Sequence, residues 1–258
     1  MALETLIVER DGGVVTVTMN RPAKKNAANG QMWDELFTVF AEVADTESDR
    51  VLVVTGAGDA FCSGADLSDG SSLRRNGLTR MRHIGDTALA LHRLAKPTIA
   101  KVNGVAAGAG ANLAFGCDLI VASSAARFSE IFTRRGLSVD FGGTWLLPRL
   151  VGLHRAKELA FFADVIGADD AERMGLVNRV VPAGELDGFV DDWARRLAAS
   201  PPMALSMTKT MLNNALMVSM DQALEDEARA QTVNFGTNDF REAVSAFLEK
   251  RDPTFEGN

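Results

Sequence analysis

Apolar and polar positions alternate at both ends of a short turn early in the chain. LIVER at Leu6–Arg10, a turn at Asp11-Gly12-Gly13 and VVTVTM at Val14–Met19 together predict a β-hairpin. Period two then gives way to helical spacing. Met32, Leu36, Val39, Phe40 and Val43 fall on one face of a helix spanning Gln31–Ala44. Val51–Thr55 is continuously apolar, which predicts a strand buried on both faces, ending at Gly56-Ala57-Gly58. Ser68–Gly85 is polar and weakly patterned and reads as a long loop. Helical spacing returns over Asp86–Leu94, TIAKV at Thr98–Val102 reads as a second buried strand, NGVAAGAGANLAFG as a turn plus a small-residue helix, and DLIVAS as a third strand. Strand, glycine-rich turn, helix, strand recurs, which places the chain in the α/β class as stacked ββα or βαβ units. From Pro182 on, four helical patterns follow one another, at ELDGFVDDWARRLAAS, MALSMTKTMLNNALM, MDQALEDEARAQTVNF and NDFREAVSAFLEKR.

Composition narrows the functional classes. With 27 Lys and Arg against 34 Asp and Glu, the net charge is -7, so neither nucleic acid nor an anionic membrane attracts the chain as a whole. Arg134-Arg135 is a local basic pair with the charge to hold a phosphate. Pro97–Ala122 is the most apolar stretch, yet Lys101, Asn103, Asn112 and Asp118 and several glycines interrupt it, which argues against a spanning helix. Glu4 and Glu9 stand where a signal peptide would need positive charge, and Cys62 and Cys117 lack metal-ligand spacing; both point to a cytoplasmic protein without structural zinc. His83, His92 and His154 have no neighbours at metal-binding intervals, so no metal is expected.

Nucleotide fingerprints fail. Gly56-x-Gly58 has Phe61, and Gly108-x-Gly110 has Leu113, where a third glycine belongs; no P-loop, HExxH or GxSxG string occurs. What the glycine turns do offer is free backbone N–H groups. FCSGAD and GAGAN each follow a strand, and two such turns converging on one spot would supply paired donors to a carbonyl oxygen that gains negative charge. Close helix–sheet packing is the simpler explanation of the same small residues.

RPAKKNA at Arg21–Ala27, GAGDAFCSGADL at Gly56–Leu67, KPTIAKVNGVAAGAGANLAFGCDLIVAS at Lys96–Ser123 and FGGTWLLPRLVG at Phe141–Gly152 resemble, in this order, the enoyl-CoA hydratase/isomerase (crotonase) superfamily. The resemblance spans essentially the whole chain. It implies a crotonase spiral of ββα units over residues 1–197, holding an acyl-CoA site, and a helical carboxyl-terminal region over 198–258 that builds homotrimers or dimers of trimers. The implied ligand is an acyl-CoA thioester, with coenzyme A as part of the substrate and no separate cofactor. Its carbonyl would be held by the amides of Ala65 and Ala109, the latter standing where relatives usually have Gly. Lys24 and Lys25 would lie beside the CoA phosphates, with Ala27 in the same segment. Ala65–Ser68, including Asp66 and Leu67, would run along the adenine and pantetheine, and Phe247 and Lys250 would complete the nucleotide pocket, across a subunit boundary if the helices exchange. Gly108, Asn112, Phe132 and Phe141 would border the acyl group.

Proton chemistry separates the activities within this superfamily. Its hydratases use two glutamates, one to activate water and one to protonate the α-carbon. The matched positions here are Asn112 and Phe132, neither of which exchanges a proton near neutral pH, and Glu130 would substitute only through a local shift of the chain. Asp140 matches the carboxylate of the double-bond isomerases, and GLSVDFGGTWLLPR is especially similar to 1,2-epoxyphenylacetyl-CoA isomerases. One carboxylate suffices to move unsaturation, since the same group takes a proton from one carbon and returns it two carbons away. Taken by itself, an Asp here would simply cap the following helix. The expected activity is acyl-CoA double-bond isomerisation, with enoyl-CoA hydration and acyl-CoA binding without chemistry as the alternatives.

Overall fold

Alternation in the first segments forms an antiparallel pair, β1 (Leu6–Asp11) and β2 (Val14–Met19), with Leu6 opposite Met19 and Asp11 opposite Val14. Val15, Val17 and Met19 are buried, so the period-two pattern marks the core face. The computed structural model describes residues 3–69 and 77–258. Beside β2 and parallel to it runs β3 (Val51–Gly56), buried at all six positions, then β5 (Thr98–Val102), β7 (Leu119–Ser123) and β10 (Arg179–Val181), which completes a six-stranded sheet. A second sheet is built from much shorter pieces, β4 (Ala60–Cys62), β6 (Val105–Ala107), β8 (Arg127–Ser129) and β9 (Ile166–Gly167).

Three times the chain passes through the large sheet, then the small one, then leaves by a helix. These coils are β3–β4–α2 (Gly77–Arg93), β5–β6–α3 (Ala109–Phe115) and β7–β8–α4 (Gly143–Phe162). This is a right spacing for a spiral, since each coil lays its strands parallel to those of the previous one. The large sheet is covered on one face by α6 (Leu186–Ala198), whose Val190 and Ala194 pack with Val51, Val53, Ile99 and Val121. Its other face carries Leu52, Val54, Ala100 and Ala122 into the main core, which α1 (Gly30–Asp45) seals with Met32, Leu36, Val39, Phe40 and Val43, the face read from the sequence. Burial of each such side chain contributes about 1.5–3 kcal/mol. Asn29 starts α1 by accepting the Met32 N–H at 3.0 Å.

The expected loop Ser68–Gly85 is cut short: Gly77–Gly85 belong to α2. That helix buries only Ile84, Thr87 and Leu91, too thin an apolar stripe to register as periodic in its first half. Residues 70–76 of that loop lie outside the described residues. After α5 (Ala168–Met174) and α6, the chain continues from Pro202 in α7 (Pro202–Asn214), α8 (Met220–Phe235) and α9 (Asn238–Glu249). These last helices are poorly covered: α7 has no buried residue, and Leu212, Leu216, Met217 and Met220 are 69%, 71%, 68% and 77% exposed. Among the described residues no helix is long and apolar enough to cross a membrane.

Candidate active site

Register brings the two glycine turns together. β4 and β6 pair in parallel with Cys62 beside Ala106, so Ala65 and Ala109 each lie three residues beyond matched positions, at the same sheet edge. An ideal Cβ on Gly64 would lie 2.9 Å from the Ala107 carbonyl oxygen and 3.9 Å from the Ala109 nitrogen, which measures how closely the turns approach. Ala28 bridges Ala65 as a parallel strand would: its N–H donates to Gly64 O and its carbonyl accepts from Asp66 N, both at 2.8 Å. In such a bridge the N–H of Ala65 itself points away from Ala28. Ala109 is the first residue of α3, where an N–H has no intrahelical acceptor, and Gly108 before it sits at φ +54°, ψ -128°, a conformation suited to glycine. Two amides without an acceptor among the described residues thus share one edge, with the dipole of the short helix behind the second.

The third coil packs against the second of these turns. β8 lies beside β6, and Gly108 donates to Ser129 O at 2.9 Å, so the segment after Ser129 starts next to the Gly108 turn. Phe132 is buried, and its ring atoms lie 3.6 Å and 3.8 Å from where a Gly108 Cβ would be, forming an apolar wall on that turn. Asn112 lies one helical turn beyond Gly108 and is fully buried. Its Nδ2 donates to the Asp140 carbonyl at 3.0 Å, which fixes the amide's orientation because only the nitrogen can donate.

Asp140 does not cap α4. Its carbonyl accepts from Gly143 N at 3.0 Å across a turn in which Phe141 (φ +50°) and Gly142 (φ +80°) are both left-handed, and α4 has no side-chain cap. A left-handed phenylalanine costs about 1–2 kcal/mol, a strain maintained by packing; the Phe141 ring lies 5.2 Å from that of Trp33 in α1. The Asp140 carboxylate therefore projects from a braced turn, with Oδ1 buried and accepting no hydrogen bond among the described residues. Burial pushes its carboxyl up to about 6. Glu130, which the sequence reading left outside the site, comes into it: β8 ends at Ser129, a 3-10 turn over Ile131–Arg135 follows, and the Glu130 side chain turns inward to within 3.4 Å of Asn112 Nδ2. Burial pushes this carboxyl up to about 8.

The other expected residues surround or stand away from this centre. Arg21 joins two of the expected segments, donating to Asp66 Oδ2 at 2.9 Å and to the Ala27 carbonyl, a brace the sequence reading did not single out. Asp66 also accepts from Ser68 Oγ at 2.6 Å, and with the Ser68 bond as the main cause its carboxyl is held down to about 2. Leu67 is 70% exposed. Lys24 and Lys25 turn beside Ser63, whose N–H donates to Lys25 O, and Lys25 Nζ is ion-paired with Asp59 at 2.5 Å. Phe247 is 82% exposed on α9, which packs on α8, and Lys250 caps α9 in a left-handed conformation. Cys62 is a fully buried thiol pushed up to about 11, unsuited to nucleophilic work. His83 pairs with Asp34 and His92 packs edge-on to Trp145. Arg134 is engaged by Asp164 at 2.6 Å. Among the described residues no cluster of three or more His, Cys, Asp or Glu is placed to hold a metal.

Comparison with known proteins agrees with this architecture. Along its full length the chain is 42% identical to a Rhodobacter capsulatus protein named "Probable enoyl-CoA hydratase". It is 38% identical to the 1,2-epoxyphenylacetyl-CoA isomerase of Escherichia coli K12, with 99% of each chain covered. A crystal structure of an enoyl-CoA hydratase from Bacillus anthracis superposes with a TM-score of 0.94 at 31% identity, covering 99% of this chain and 100% of that one. Residues 9–258 match the enoyl-CoA hydratase/isomerase family itself. With that match, these relatives and a crotonase-type spiral, the chain belongs to the enoyl-CoA hydratase/isomerase family.

Proposed function

We propose that this protein is an acyl-CoA double-bond isomerase. The observation that carries the reading is the half-buried Asp140 carboxylate, whose Oδ1 is enclosed and has no hydrogen-bond partner among the described residues, on a strained turn anchored one helical turn from the Ala109 amide. The thioester oxygen accepts from the N–H groups of Ala65 and Ala109, and these donors strengthen as it becomes an enolate oxygen. With a 3-enoyl-CoA, Asp140 takes a proton from C2; the electron pair is delocalised onto the thioester oxygen while the C3–C4 double bond joins the conjugated system. Asp140 then returns the proton to C4, and the double bond lies between C2 and C3. Asn112 and Phe132 take no part in proton transfer; one anchors the turn and the other walls off water. Coenzyme A enters as part of the substrate, beside Lys24, Lys25 and the Ala65–Ser68 segment, and no metal or nicotinamide is required.

Three thioesters separate the readings. Purified protein is given a trans-2-enoyl-CoA, a 3-enoyl-CoA and a ring-epoxide CoA substrate, and products are resolved by chromatography. Isomerisation of the second or third without hydration of the first is expected. A 3-hydroxyacyl product from the first would make the protein a hydratase, and binding without turnover would make it an acyl-CoA binder. Turnover abolished by dialysis against chelator would overturn the metal-free mechanism.

A further inference from the structure

Glu130 is a carboxyl group that this mechanism leaves without a task. It is 3% exposed, directly after β8. Oε2 lies 3.4 Å from Asn112 Nδ2, and Oε1 is buried with no hydrogen-bond partner among the described residues. Neutral groups surround it. Asn112 and Phe115 face it from α3, Phe128 and Ser129 from β8, Leu159 from α4, Ile166 from β9 and Leu176 from beyond α5. Among the described residues Asp140 is the one charged group acting on it, and no cation compensates it. An ionised carboxylate in that setting costs several kcal/mol, whereas a neutral acid needs only hydrogen bonds.

The atom that Glu130 meets is the one that anchors the catalytic turn. Asn112 Nδ2 lies between Glu130 Oε2 and the Asp140 carbonyl, and Asn112 Oδ1, also buried, accepts nothing among the described residues. Gly143, the first residue of α4, passes so close above Asn112 that a Cβ there would meet the amide, so the amide is confined on that side as well. We propose that Glu130 carries a proton during turnover and acts as the positioning residue for Asp140, holding through the Asn112 amide the turn that presents the catalytic carboxylate. This rests on Asp140 being the shuttle. The upward displacement of the Glu130 carboxyl by burial accords with it: ionisation on the alkaline side sets a second negative charge beside Asp140 and the enolate, and turnover falls there.

The test uses the intact protein and its Glu130→Gln, Glu130→Leu and Asp140→Asn variants, with a 3-enoyl-CoA as substrate over an acid-to-alkaline range. Glu130→Gln, which stays neutral and still hydrogen-bonds, should keep kcat within about threefold near neutrality and lose the alkaline decline. Glu130→Leu, which releases Asn112, should lower kcat by about 10- to 10²-fold at little cost in KM. A wild-type alkaline decline in Glu130→Gln would overturn the proposal. So would a loss near neutrality as deep as that of Asp140→Asn, since Glu130 would then be moving the proton itself. Infrared spectra read the proton without turnover: a protonated-carboxyl band at neutral pH should persist in Asp140→Asn and vanish in Glu130→Gln. If the band is present but Asp140→Asn is fully active, the isomerase mechanism fails while the proton on Glu130 stands; if it is missing, the inference about Glu130 fails on its own.

Discussion

An aspartate that takes a proton from carbon must first be ionised, and burial sets where that happens. With its carboxyl pushed up to about 6, Asp140 is a better base than an exposed aspartate and is still ionised near neutrality. The group is active above its pKa, so kcat/KM should fall about tenfold for each pH unit below about 6 and level off above it, up to the alkaline decline that Glu130 sets. Asp140→Asn keeps the shape and both amides but removes the base; kcat should drop about 10²- to 10⁴-fold with KM nearly unchanged, as measured by steady-state kinetics. The neighbour that holds Asp140 is equally specific in its demands. A Cβ on Gly143 would sit 2.6 Å from Asn112 Cγ, with the backbone of α4 behind it. Gly143→Ala should therefore displace Asn112, cost about 1–3 kcal/mol in denaturant melts and depress turnover through Asp140.

At the level of elements, the site is an outcome of register. Ala65 and Ala109 meet because β4 and β6, after an irregularity between Ala60 and Cys62, pair Cys62 with Ala106. Proline is tolerated at the first position of a helix, where its missing N–H is not needed by the helix. Ala109→Pro should accordingly leave the far-ultraviolet spectrum intact while lowering kcat/KM at least about 10²- to 10³-fold, the usual effect of losing one such donor. Much of this level is legible in the chain. Alternation gave β1 and β2, a continuous apolar run gave β3, and the motif resemblance placed Ala65, Ala109, Asn112 and Asp140 before any geometry. The three-residue strands β4, β6 and β8 are another matter, being too short for any period to show and bounded by turn residues. Glu130 was legible only as a substitute that a local shift of the chain would bring in. Spacing does not reveal the 3-10 turn that begins at Ile131, beside which the Glu130 side chain reaches Asn112.

For the molecule as a whole, the exposed apolar side chains of the last three helices call for a partner. Leu212, Leu216, Met217 and Met220 cluster around the α7–α8 junction, and Phe247 and Leu248 lie on α9, at exposures of 68–82%. Monomers seldom leave so much apolar surface in water. We expect a closed homo-oligomer, a trimer or a pair of trimers, in sedimentation at micromolar concentration, and a shift toward monomer when Met217 and Met220 are both changed to Glu. A monomeric wild-type protein would refute this.

The spiral carries one more consequence, for the order of events in folding. Ala65 belongs to the first coil, Ala109 and Asn112 to the second, and Glu130 and Asp140 to the third, so neighbours in the site are as much as 75 residues apart in sequence. No single coil holds a working fragment of the centre. Loop closure across all three must precede the first turnover, and contacts of such long range form slowly. Recovered activity after dilution from denaturant should thus lag behind recovered helicity, making catalysis a clock for the moment the third coil docks.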